Sequence, residues 1–325
     1  MMRFDFKLKG EKIWYLILIL VLVISNRYFT NELAKKIDLS DYNNISKALL
    51  KISGIFVFGI INIILSFLII KNIINSIYLN DKSFVFLVQL GEYFWLVVSS
   101  TFLMIITLFI YTPFYIRRYV KFISSNTYYE EKNFEFNGKG EELLGIMIFL
   151  LVIPYVTIVV LSLNLEEITP MKIVLFALIF FIAFIMIVSY IFYYIKWLIN
   201  FIYSDIEIRL RAKAKQSILF LLGQILLTII TLFIYLPAAI IKIIQYIADN
   251  IRIDDYTDKI YKINTEFTIK ESWKYLGVQI LLAIITIGIY LPWAYCNIIK
   301  YILERIVIEK KEPGTQQNSI IIESN

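Results

Sequence analysis

Six stretches of this 325-residue chain run for at least nineteen residues without a charged side chain. They are 52–70 (the apolar pattern continuing to 79), 93–116, 143–165, 173–195, 216–241 and 275–299. A helix needs roughly 20 apolar residues to cross a hydrocarbon core of about 30 Å, so each predicts a transmembrane helix. A seventh segment, 13–30, is interrupted by Asn26 and Arg27, and no small-residue cleavage site follows it. It reads as a retained span rather than a removed signal peptide. At 59 % hydrophobic and 18 % charged, against about 45–50 % and about 25 % for soluble domains, the chain is not an ordinary soluble protein. The expectation is an all-α integral membrane protein of about seven transmembrane helices, with internal repeats and short surface β-strands. It divides into an N-terminal segment 1–83 with two spans, a bundle 84–311 with about five, and a disordered tail 312–325.

The net charge of +6 records orientation rather than a nucleic-acid footprint, because Lys and Arg between spans follow the positive-inside rule. Along seven spans the larger share of basic residues falls on the side that makes the C-terminus cytoplasmic and the N-terminus external. Lys300, Arg305, Lys310 and Lys311 are placed to meet anionic lipid headgroups.

Three of the apolar stretches are copies of one another. Residues 224–239 (QILLTIITLFIYLPAA) and 279–294 (QILLAIITIGIYLPWA) agree at twelve of sixteen positions, and 100–115 (STFLMIITLFIYTPFY) matches the first of these at nine. Thr107, Thr231 and Thr286 each stand four residues before Tyr111, Tyr235 and Tyr290. Each tyrosine is followed two residues later by Pro113, Pro237 or Pro292, and nine residues beyond comes Phe122, Tyr246 or Tyr301. Positions 0, 7 and 11 share a helix face. Ser100, Thr107 and Tyr111 therefore form a polar stripe, as do Gln224, Thr231 and Tyr235, and Gln279, Thr286 and Tyr290. Such stripes face neighbouring helices or line a polar path. Each proline removes a helical hydrogen bond to Phe109, Phe233 or Gly288, so a kink is expected there. If the last two copies span singly they run in opposite directions. That conflicts with Arg117, Arg118, Lys242 and Lys300, which all follow the motif and prefer one side.

A second signature leads into the apolar segments: Phe4-Asp5-Phe6 with Gly10-Glu11, Phe84-Val85-Phe86 with Gly91-Glu92, and Phe134-Glu135-Phe136 with Gly140-Glu141, with a weaker copy at Asn264–Ile269. Alternating aromatic and polar residues predict short half-buried strands, with hairpins over 126–136 and 250–269 capping the bundle at headgroup level.

These two signatures in succession resemble the YjgN family of bacterial inner-membrane proteins, a family of unknown function (DUF898). The lead is kept at Phe84, Phe86, Gly91, Glu92, Tyr93 and Phe94. The helix motif departs from the family pattern at Phe109 and Phe114, and Gly288 and Trp293 restore it in the last copy. The Asn-Thr pair is Asn126 and Thr127, and the closing strand runs from Phe134 to Gly138. The resemblance implies a multi-pass protein of the bacterial inner membrane and supplies no activity or catalytic residue.

The chain has no histidine, so the commonest catalytic base and a metalloprotease H-E-x-x-H pair are missing. Gly138-Lys139-Gly140 is a turn rather than a phosphate loop, and Cys296 has no histidine to activate it. The loop carboxylates Glu130, Glu131, Glu135, Glu141 and Glu142, and Asp249, Asp254, Asp255 and Asp258, read as solvated faces. The expectation is a non-enzymatic, structural or envelope-associated membrane protein without a cofactor. The alternatives are a passive or solute-selective transporter lined by the Gln/Thr/Tyr stripes and, last, a lipid-modifying membrane enzyme.

Overall fold

The computed structural model describes residues 1–18, 21, 42–163, 169–255 and 260–311. The expected first span, from residue 19 on, and the expected disordered tail therefore fall almost wholly outside the described residues. Strand β1 (Met2–Phe6) and a 3-10 turn at Gly10–Ile13 precede helix α1 (Tyr42–Ile74). Next come β2 (Ile77–Leu79), β3 (Lys82–Ser83), β4 (Val85–Phe86), α2 (Leu90–Ile106), α3 (Thr112–Ser125), β5 (Thr127–Tyr129) and β6 (Lys132–Phe136). A long helical pair follows: α4 (Gly140–Met147), a π-helical turn at Ile148–Val152 and α5 (Ile153–Leu163) lead outward, and α6 (Pro170–Leu198) follows. The chain closes with β7 (Asn200–Tyr203), β8 (Ile206–Leu210), α7 (Ala214–Ile230), α8 (Leu236–Asn250), β9 (Ile251–Asp255), β10 (Ile260–Thr265), α9 (Ile269–Ile285), α10 (Leu291–Leu303) and β11 (Ile306–Lys311).

Local chemistry accounts for several of these boundaries. Thr169 caps α6, its hydroxyl oxygen accepting the Lys172 N–H at 3.4 Å, and Pro170 takes the first helical position, where a missing N–H costs nothing. The π turn immediately precedes the Ile153-Pro154 pair. It makes room for a proline ring that would otherwise meet the carbonyl four residues back. The β5–β6 turn places both Glu130 and Glu131 in the left-handed region, as the β2–β3 turn does with Asn80 and Asp81, the backbone signature of tight two-residue hairpins.

Two compact units interleave along the chain. One comprises Met1–Arg3, Leu103–Lys274 and the residues from Arg305 on; the other comprises Phe4–Phe102 and Tyr275–Glu304. The first unit is built on an antiparallel sheet in which β5, β6, β7, β8, β9, β10 and β11 lie side by side in chain order. Met2 and Arg3 pair with Ile308 and Val307 at its β11 edge. The Phe-x-Phe pattern suits such a sheet, because alternate residues share a face. Phe134 stacks on Tyr203 at 4.8 Å between ring centroids, and Phe136 meets the edge of Trp197 at 4.9 Å. Val188, Phe192, Leu210 and Leu221 form one buried core of this unit, and Phe136, Leu143 and Trp197 another. In the second unit Phe4 and Phe6 of β1 pair with Leu79 and Ile77 of β2. Phe6 is buried there with Leu8, Ile13 and Cys296.

Pairs β6–β7, β8–β9 and β10–β11 are antiparallel neighbours, and each flanks a helical excursion. The excursions after β6 and β8 must therefore leave and return at the same end of the strands, with the turns at Glu130-Glu131 and Ser204 at the opposite end.

These observations correct the all-α, seven-span expectation. Eleven strands are present among the described residues, and those of the first unit form a continuous sheet rather than isolated caps. Only three described stretches are helical, long and apolar enough to cross a membrane: Ile52–Ile74, Gly140–Ser162 and Pro170–Leu198. The stretches 93–116, 216–241 and 275–299 are each broken into two helices. Met2 is hydrogen-bonded into the sheet beside Ile308. The strands escaped detection as a sheet because each is two to six residues long, and strand pairing is a contact between residues distant in sequence.

Thiol labelling tests whether the pair Gly140–Ser162 and Pro170–Leu198 crosses a membrane. On a Cys296→Ser background, Glu131→Cys and Ser204→Cys should react with an impermeant maleimide from one side of sealed vesicles, and Thr169→Cys from the other. Labelling of all three from one side would contradict it.

Candidate functional site

The twelve residues singled out by the repeat converge on three local structures of the same design. In the first copy, α2 ends in a Schellman motif: Phe109 N–H bonds to Met104 O at 2.7 Å and Leu108 N–H to Ile105 O at 3.2 Å. The second copy pairs Phe233 with Thr228 and Leu232 with Ile229, and the third pairs Gly288 with Ala283 and Ile287 with Ile284. Such a cap requires a left-handed residue and usually takes glycine. Here φ is 48° at Leu108, 48° at Leu232 and 51° at Ile287, and the next residue is left-handed too, at 66°, 68° and 88°. An L-residue in that region costs about 1–2 kcal/mol, so the turns are held by something else.

That something is the Thr–Tyr–Pro spacing. The Thr231 hydroxyl donates to Leu227 O at 2.7 Å and its oxygen accepts Tyr235 N–H at 3.1 Å. Thr107 makes the same two bonds with Leu103 and Tyr111, and Thr286 with Leu282 and Tyr290. With Ile234 N–H on Thr231 O and Leu236 N–H on Phe233 O, every backbone N–H from Thr231 to Leu236 has a partner. Pro237, next in line, has none to satisfy. The same holds from Thr107 to Thr112 before Pro113, and from Thr286 to Leu291 before Pro292. The prolines sit in the first turn of α3, α8 and α10. They start a second helix rather than kink a continuous one.

The stripe positions close each hairpin. Tyr235 donates its hydroxyl to Gln224 Oε1 at 2.9 Å, and Tyr290 to Gln279 Oε1 at 3.0 Å; both glutamines are buried. In the first copy Ser100, also buried, takes the glutamine position, and Tyr111 stacks on Phe114 at 6.0 Å. The recurring aromatic closes the base: Tyr246 stacks on Phe220 and Tyr301 on Tyr275, each at 4.5 Å. Sequence reasoning missed Asn297, which donates to Gln279 Oε1 at 3.0 Å. Lys242, read there only as a mark of orientation, has its ammonium 5.4 Å from the centre of the Tyr235 ring. Both stand seven residues after the motif tyrosine, and that spacing was the available signal.

What the hairpins present outward is apolar. Leu108 is 82 % exposed, Leu232 81 % and Ile287 94 %, and Phe109, Ile110, Phe233, Ile234 and Ile289 are exposed beside them. The polar side chains point into the hairpin while the tip offers hydrocarbon. A turn whose N–H donors are all paired internally suits a medium without water.

Substitution separates these roles. Thr231→Val leaves the Tyr235 N–H unpaired and should cost about 1–3 kcal/mol in unfolding measured in bicelles, whereas Thr231→Ser should stay close to wild type. Tyr235→Phe should cost less, about 0.6 kcal/mol, the mean for hydrogen bonds between membrane helices.

A family model described as a bacterial protein of unknown function, DUF898, matches residues 81–266, more than half of the chain. No curated protein and no solved structure gives a significant match.

Proposed function

Because this chain belongs to DUF898, a bacterial family of unknown function, we propose its role from the geometry: a multi-pass inner-membrane protein that acts as a scaffold rather than as an enzyme. In this reading Ile52–Ile74, Gly140–Ser162 and Pro170–Leu198 cross the bilayer. The three short hairpins enter it and turn back without crossing. The observation that carries the reading is the division of labour in the hairpins, with polar side chains bonded internally and apolar tips exposed. Moving three residues such as Leu232, Phe233 and Ile234 into hydrocarbon, at about 1.5–3 kcal/mol each, outweighs about 1–2 kcal/mol for each left-handed residue.

Charge supports a cytoplasmic sheet and C-terminus. Lys172 is the only Lys or Arg between residues 140 and 195, whereas Lys196, Arg209, Arg211, Lys213 and Lys215 cluster where the chain re-enters the sheet. Hairpins also remove the topological conflict. Each returns to the side it left, so Arg117, Arg118, Lys242 and Lys300 all head back to one side. The transporter alternative needs the Gln/Thr/Tyr groups to face a path, and these groups are committed to one another or to the turn backbone.

Two measurements test this. A spin label at Leu232→Cys should be more accessible to oxygen than to a nickel chelate, as in hydrocarbon. Proteoliposomes should leak no faster than empty vesicles to ions and small polar solutes. Solute-selective flux altered by Tyr235→Phe without loss of folded protein would sink the scaffold reading in favour of transport.

A further inference from the structure

A cavity of about 720 Å³ lies in the first unit, where α4 and α6 meet β7 and β8. Its size falls in the range of about 300–1,000 Å³ typical of ligand clefts. Three cationic side chains line it, Lys139, Lys196 and Arg209, against the carboxylate of Glu142. Neither lysine is held in an ion pair among the described residues, while Arg209 is paired through Nη2 with Glu207 and leaves its Nε toward the cavity. Asn200 and Arg209 face each other across β7 and β8. In the cavity wall Asn200 Oδ1 and Arg209 Nε are buried without a hydrogen-bond partner, an incomplete state costing about 1–3 kcal/mol per group.

The cationic rim is built rather than incidental. Trp197 Nε1 donates to Lys139 O at 2.8 Å, Arg117 Nε to Gly138 O at 3.1 Å, and Asn137 N–H to Asn200 O at 3.0 Å. Three successive residues of the loop after β6 are thus pinned to α6, α3 and β7, which fixes Lys139 at the cavity before any ligand arrives. The other side of the lining is apolar and aromatic, with Ile146 and Tyr193 on the two long apolar helices. Gly145 faces open space, since a Cβ there would meet nothing within 4 Å.

We propose that this cavity binds the headgroup of an anionic phospholipid with a polyol headgroup, of the phosphatidylglycerol type. The phosphodiester lies against Lys139, Lys196 and Arg209, and headgroup hydroxyls donate to Glu142. The acyl chains pass between the ends of α4 and α6. The shared chemistry is a phosphate ester with hydroxyl donors, and the adjoining apolar helices make lipid rather than a soluble ester the source. This rests on the membrane reading above, which flotation of the protein with liposomes tests separately.

The test uses the full chain in detergent, titrated with dioctanoyl phosphatidylglycerol, dioctanoyl phosphatidylcholine and glycerol 3-phosphate, with binding read by native mass spectrometry and thermal shift. The glycerol lipid should bind saturably, at least tenfold tighter than the choline lipid and the soluble ester. Lys139→Gln combined with Lys196→Gln should weaken it at least tenfold. Gly145→Phe, which fills the cavity and leaves every charge in place, should abolish it, with folding of both variants checked by gel filtration. Equal affinity for the two lipids, or wild-type binding by both variants, would overturn the proposal. Equal affinity for glycerol 3-phosphate would overturn the lipid source. Failure of flotation would overturn the membrane reading itself.

Discussion

In the proposed membrane setting a peptide N–H has no water to turn to, and the three short hairpins meet that constraint within themselves. Within the three short hairpins it is met by a threonine that serves two backbone groups at once, a Schellman pair that closes the first helix, and a proline where the next donor would have stood. Because the turn is closed to hydrogen bonding, it needs no aqueous side to end on. In the second and third copies the strand after the hairpin pairs with the strand before it.

That return path gives the sheet of the first unit its order. Strands adjacent in sequence are adjacent in space, with helical pairs at one end of the strands and tight turns at the other. The junction of the long pair with the sheet gathers features of both media. Trp197 and Tyr193 stand with Lys139, Lys196 and Arg209 around one cavity, where aromatic rings and cations are the residue types suited to a membrane–water boundary.

Much of the site was legible in the sequence, although its use was not. Thr231, Tyr235, Pro237 and Gln224 stand out because they are the few non-aliphatic residues that recur in an Ile/Leu background. Helical spacing puts Gln224 and Tyr235 on one face but about three turns apart; the reversal at Leu232 and Phe233 is what brings them into hydrogen-bond contact. Periodicity treats the stretch as one helix, however, and cannot show that Leu232 and Phe233 are left-handed. The usual sign of such a break is glycine, and only Gly288 carries it. Asn297 and Lys242 continue the same helical face seven residues beyond the tyrosine, but they lie past the proline, where the stripe was taken to end. The sheet was legible only in pieces: Phe-x-Phe marks strands, while their partners lie in other parts of the chain.

By itself the sequence determined that the chain is too apolar for water, that three segments share one design, and which side chains recur in it. These are properties of composition and short-range spacing. Tertiary structure alone decided that the shared segments are hairpins rather than spans, that the short strands join into a sheet, and that Lys139, Lys196 and Arg209 meet around one cavity. Each of those depends on where a helix stops and which strand lies beside it. Both are fixed by hydrogen-bond partners that the linear order of residues does not name.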